Sequence, residues 1–172
     1  YTPQHIQGSE AMIENGDRPL LQIVPQQKAD ASIDSLAYQY HLQGDALAGK
    51  ATYQLRGDMK EWFMSIIDDA GNKNSDDILA NNLNADTHNM TVSDVKWTDQ
   101  DARHEWARFT GNVVNKPAVQ QMDGEIYIEL NPHNNLFDNR IDTTGRSNDY
   151  YFPVRCNIVR QASLLIPTGY KV

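Results

Sequence analysis

The sequence predicts a mostly β, α+β fold: an antiparallel, β-sandwich-like domain with a short two-helix insertion at about residues 58–84. Three observations lead there. Apolar and polar residues alternate through residues 35–55, the period of a strand with one buried face. After Asp58 the period changes to that of an amphipathic helix, and from Met90 the alternation returns. At 172 residues the chain has room for one substantial core and at most a small second unit. Hydrophobic residues make up 40 % and charged ones 22 %, ordinary globular usage that argues against disorder.

Residues 1–28 are punctuated by Pro3, Gly8, Gly16, Pro19 and Pro25 and read as an irregular tail. Its longest apolar piece, Leu20-Leu21-Gln22-Ile23-Val24, reads as a docking strand ending at Pro25. Leu36, Tyr38, Tyr40 and Leu42 then alternate with Ser35, Ala37, Gln39 and His41. After the turn signal Gln43-Gly44-Asp45, alternation resumes at Leu47, Gly49, Ala51, Tyr53 and Leu55, which makes a β-hairpin. Asp58-Met59-Lys60-Glu61 has the character of a capping box, and Trp62, Phe63, Ile66 and Ile67 follow at helical spacing. The first helix is therefore predicted over about 58–69, and a second over Ser75 to Leu83, with a polar connection between them.

Further on, Met90 and Val92 share one phase and Val95 and Trp97 the other, which places a bulge near Ser93 and Asp94. Residues 104–113 alternate cleanly, with Ala107, Phe109, Gly111 and Val113 on one face. Gly124 to Leu130 is another strand, with Ile126, Ile128 and Leu130 in phase. The Asn/Asp/Gly-rich stretch 131–149 reads as a long loop, and two more strands follow.

Charge narrows the partners. With 15 Lys+Arg against 23 Asp+Glu the net charge is −8, and no basic run stands out, so nucleic acid and anionic membrane are not expected partners. No apolar run approaches the roughly 18 residues of a membrane span. Tyr1 stands where an initiator methionine would, and no basic segment precedes an apolar one, so the sequence reads as an excised piece.

Cys156 is the single cysteine, so no intramolecular disulfide exists. It falls in phase with Phe152, Val154 and Ile158, which predicts a thiol in the apolar core, where burial suppresses the thiolate a nucleophile needs. His5, His41, His88, His104 and His133 are scattered without metal-ligand spacing. Asp68 to Asp77 is the best calcium candidate, yet it lacks the spacing of an EF-hand loop and reads as a solvated connection between helices. No phosphate-binding loop, dinucleotide fingerprint or Gly-x-Ser-x-Gly elbow is present, so neither cofactor nor metal is predicted. Trp97, Trp106, Tyr150 and Tyr151 are the candidate ligand contacts. Displayed together on one sheet face they would make a sugar-stacking platform; otherwise they are core or cross-strand aromatics.

Four phrases in order carry a family resemblance: Leu20 to Pro25, the hairpin Gln43 to Gly49, Tyr151-Phe152-Pro153-Val154, and Ile166-Pro167-Thr168-Gly169-Tyr170-Lys171-Val172. Over residues 18–172 the chain resembles the C-terminal part of large bacterial transglutaminase-like proteins typical of Bacteroidetes. In those proteins a β-rich domain of unknown function follows a papain-like catalytic core. The resemblance implies that residues 1–28 are the exit from that core. Residues 29–172 would then be a β-rich accessory domain, cut before its last strand. It also implies that the catalytic Cys, His and Asp lie upstream, so that this piece is not itself an enzyme, and that the parent is exported to the periplasm or cell surface. The implied partner is the transglutaminase-like domain of the same parent chain. The alternative is a surface module that binds glycan or protein.

Overall fold

The computed structural model describes residues 6–71, 75–84, 90–99, 104–130, 145, 147 and 155–171. Its elements are β1 (Glu10–Ile13), β2 (Leu20–Ile23), β3 (Ile33–Gln43), β4 (Ala46–Arg56), α1 (Asp58–Ala70), α2 (Ser75–Leu83), β5 (Met90–Asp99), β6 (Trp106–Asn115), β7 (Val119–Met122), β8 (Glu125–Ile128) and β9 (Asn157–Leu165). One five-stranded sheet, ordered β5-β6-β4-β3-β9, forms the body, and β1-β2 and β7-β8 are separate two-stranded ribbons. The fold is thus mostly β with a helical insertion, as the alternating periods predict. The sheet is mixed rather than wholly antiparallel, because β9 runs parallel to β3. A parallel neighbour needs a long crossover, and the stretch between β8 and β9 supplies the length.

The β3-β4 hairpin is the longest pairing, from Ile33 opposite Arg56 to Gln43 opposite Ala46. Its loop is the two residues Gly44-Asp45, and only Gly44 takes a positive φ (63°), the pattern of a type II′ turn. Strand alternation then sets two faces. Leu36, Tyr38 and Tyr40 of β3 point inward with Leu47, Ala51, Tyr53 and Leu55 of β4 and with Ala107, Phe109 and Val113 of β6, and all are buried. The helices cover this inner face. From α1 comes Phe63, and from α2 come Leu79 and Leu83. Opposite Leu83 the sheet carries Gly111, where a Cβ would stand 2.8 Å from Leu83 Cδ1 and 3.2 Å from Val92 Cγ1. The phase shift in β5 is present as expected: register slips between Ser93 and Lys96, and Asp94 takes φ 50°.

The start of α1 differs from the sequence reading. Asp58 makes no cap; the N-cap residue is Gly57, which has no side chain to supply one. The capping oxygen is Ser32 Oγ, which accepts the Met59 N–H at 3.1 Å from 27 residues upstream. Ser32 also donates to the Arg56 carbonyl at 3.4 Å, and its own carbonyl accepts the Asn157 N–H at 2.9 Å. One buried serine therefore joins the end of β4, the start of α1 and the start of β9. Gly57 makes this corner possible, with φ 64° and the Ala31 carbonyl oxygen 2.3 Å from where a Cβ would sit. Burial and the neighbouring Glu61 push the Asp58 carboxyl upward, opposite to the effect of a cap.

Other differences follow from short or shared patterns. Residues 10–23 are an antiparallel ribbon rather than an irregular tail, with Glu10 opposite Ile23 and Ile13 opposite Leu20. The four residues of β1 are too few for periodicity to reveal, while β2 matches the docking strand read at Leu20 to Val24. The unanticipated β7 pairs with β8 across Asp123-Gly124, both at positive φ (54° and 82°), the two-residue Asp-Gly turn. Trp62, read with the apolar side of α1, is 61 % exposed. The loop reading of 131–149 falls outside the described residues except at Gly145 and Ser147, and the strand reading of 151–154 falls outside them entirely.

Gly57→Ala is expected to lower unfolding stability by on the order of 3 kcal/mol, through a disfavoured backbone conformation and a steric clash. Ser32→Ala is expected to cost about 1–2 kcal/mol by removing the cap. Urea unfolding followed by circular dichroism measures both, and a neutral Gly57→Ala would contradict the corner as described.

Candidate functional site

The two tryptophans among the predicted ligand contacts are split by the sheet. Trp97 lies opposite Phe109 on the inner face, its ring edge-on at 5.4 Å between centroids, with Phe63 of α1 at 6.0 Å. It is part of the core that seats α1. Trp106, three residues before Phe109 on β6, points to the other face, where the Arg56 guanidinium lies 5.0 Å from its ring centre. Arg56 is held in turn by Glu105 Oε1 at 3.2 Å and by the Asp30 carbonyl. The structure does not bring Trp97 and Trp106 together, and Tyr150 and Tyr151 lie outside the described residues.

Cys156 is half-buried, just ahead of β9, rather than deep in the core. Its phase companion Ile158 is itself exposed, at the start of β9, the last strand of the sheet. Burial raises the thiol's pKa, the Asp34 carboxylate raises it further, and Arg160 partly offsets both, so the thiolate is disfavoured. Of the described histidines, His41 sits at the opposite end of β3, where it pairs with Leu165. The other, His104, precedes β6, three strand spacings or roughly 14 Å across the sheet. Neither stands within hydrogen-bond reach of the thiol. Among the described residues no three His, Cys, Asp or Glu gather to hold a metal ion. No helix there is long and apolar enough to cross a membrane.

Sequence reasoning missed an ion pair beside this cysteine. Asp34 on β3 and Arg160 on β9 are 126 residues apart and meet at 2.8 Å, with the same Arg160 Nη1 also 3.1 Å from the Asp34 carbonyl oxygen. The guanidinium lies 5.9 Å from the Tyr53 ring centre. With Ser163 Oγ donating to the Tyr38 carbonyl at 3.2 Å, this pair pins the edge strand to the sheet. Only the parallel register makes the two charges neighbours, so no local pattern announces them.

Also missed was the partner of the apolar strand at Leu20–Ile23, which pairs with β1 in a ribbon that exposes apolar side chains. Met12, Leu21 and Ile23 are 71, 68 and 63 % exposed, on one face of the ribbon, while Ile13 and Leu20 are exposed on the other. Acidic residues flank them at Glu10, Glu14 and Asp17. Scattered apolar side chains on a surface are ordinary, whereas a contiguous exposed group is a candidate for contact with another surface. A signal existed in the paired clusters Ala11-Met12-Ile13 and Leu20-Leu21-Gln22-Ile23 on either side of Gly16. No protein-family model matches the chain, and neither a curated protein nor a solved structure matches it.

Two predictions follow from the buried polar groups. Arg160→Met is expected to cost about 3 kcal/mol by leaving the Asp34 carboxylate buried without its partner, and the double variant with Asp34→Asn to recover part of that loss. Recovery in a double-mutant cycle is the check. Burial holds the Tyr38, Tyr40 and Tyr53 hydroxyls well above their ordinary value near 10. The folded state therefore keeps protons that the unfolded state releases. Their contribution is intact below about pH 10 and is lost as pH rises beyond it. Denaturant midpoints are expected to fall above pH 10, less steeply in Tyr38→Phe.

Proposed function

We propose that this chain is a non-catalytic accessory domain that packs on a transglutaminase-like catalytic domain and helps position its substrate. The observation that carries the reading is the exposed β1-β2 ribbon. A two-stranded ribbon is marginal on its own in water and gains stability when its apolar face meets another surface. Burying Met12, Leu21 and Ile23 would contribute roughly 1.5–3 kcal/mol each relative to exposure, before the cost of association. The resemblance supplies the occupant, since in that family the segment before this domain leads out of the catalytic core.

The half-buried Cys156, with its raised pKa and no described histidine in reach, supports a non-catalytic role. Mixing the chain with the separately produced transglutaminase-like domain and measuring heat of binding tests the proposal. Leu21→Asp with Ile23→Asp is expected to weaken association at least tenfold while leaving the circular dichroism spectrum unchanged. Equal affinity of the double variant would contradict it, and so would peptide hydrolysis or amine crosslinking by the chain alone that disappears in Cys156→Ala.

A further inference from the structure

The outer face of the five-stranded sheet, opposite the helices, gathers cations that the sequence keeps apart. Lys50 of β4 lies opposite Asn112 of β6; Thr52 lies opposite Thr110, which lies opposite Lys96 of β5; Gln54 lies opposite Arg108. Lys50, Lys96 and Asn112 are exposed and the others half-buried, with Trp106 at the end of the same face. Of the described acidic side chains here, Glu105 pairs with Arg56, and Asp94 accepts from Asn112 Nδ2 at 2.8 Å and keeps its charge. Asp99 lies opposite Arg108 along the backbone. The helical layer on the opposite face is acidic, with Asp58, Glu61, Asp68, Asp69, Asp76 and Asp77 on α1 and α2. In a chain of net charge −8, Lys50, Lys96 and Arg108 thus share one polar face, while six carboxylates lie on the helices of the other.

We propose that this outer face binds an acidic polysaccharide, a chain of sugar rings bearing carboxylates. Lys50 and Lys96 are two residues and two strands apart, about 12 Å, too far for one small anion to bridge and well spaced for a polymer. Thr52, Gln54, Thr110 and Asn112 between them both donate and accept, the chemistry sugar hydroxyls need. Trp106, with the Arg56 guanidinium against its ring, closes one end of the face. Nucleic acid fits less well. Base stacking uses aromatic rings in the middle of such a face, and here the one aromatic ring stands at the rim.

The test is equilibrium binding of the full chain to polygalacturonate, to its methyl-esterified neutral form and to single-stranded homopolymeric RNA, at low and high salt. Polygalacturonate is expected to bind, salt to weaken it, and the neutral form to bind at least tenfold more weakly. Lys50→Glu with Lys96→Glu is expected to lower affinity at least tenfold at unchanged Tm. Lys116→Glu with Lys171→Glu alters two exposed lysines elsewhere by the same net charge and is expected to leave binding intact. Absence of binding to polygalacturonate, equal loss in the two double variants, or tighter binding to RNA would each overturn the proposal. Leu21→Asp with Ile23→Asp touches only the ribbon and is expected to bind normally, which separates this surface from the docking one.

Discussion

Phe109 is the contact on which the rest of the structure depends. Fully buried in the middle of β6, it stacks on Tyr53 of β4 at 5.1 Å and on Phe63 of α1 at 5.4 Å, and receives the edge of Trp97 from β5. Four elements meet through one ring, and each aromatic pair adds on the order of 0.5–1.5 kcal/mol beyond simple burial. The bulge at Asp94 serves this cluster, because without the slip in register Trp97 would face away from Phe109. Two residues along β6, Gly111 leaves the space that Leu83 of α2 fills, and the Tyr38 hydroxyl donates to the Leu83 carbonyl at 2.9 Å. Both helices are therefore seated by one strand, and their seating closes one face of the sheet.

That one-sided closure determines what remains for function. The inner face is occupied, so ligand contacts fall to the outer face and to the ribbons and edges. At the edge, β9 is held by its ladder with β3, by Ala162 and Leu164 packed against the core and by the Asp34–Arg160 pair at 2.8 Å, while Leu165 stays 74 % exposed. An edge strand so attached resists unzipping at the Ser32 corner, where Asn157 begins it. The ribbon at residues 10–23 keeps its apolar residues in water, and the proposed docking rests on that exposed surface.

Much of the fold was legible because alternation over ten residues leaves little choice of face. The strands that carry Tyr53 and Phe109, the helix after Asp58 and the bulge near Asp94 all follow from period and phase. What escaped was short or non-local. Met12 sits in a strand of four residues, where no period can be counted. Ser32 caps a helix 27 residues away, and Arg160 meets Asp34 across 126, so neither leaves a local mark. Cys156 had the right phase for the core but the wrong strand, since phase tells which face a residue takes and not whether the sheet ends there. The two tryptophans show the same limit: residue type suggested a platform, and register put them on opposite faces.

Backbone amide exchange of the β1-β2 ribbon tests most directly whether this domain works by docking. Amides of residues 10–13 and 20–23 should exchange fast in the isolated chain and slow at least tenfold when the transglutaminase-like domain is added, while β4 and β6 stay protected in both states. Ribbon amides that exchange at the same rate with and without that domain would contradict the account.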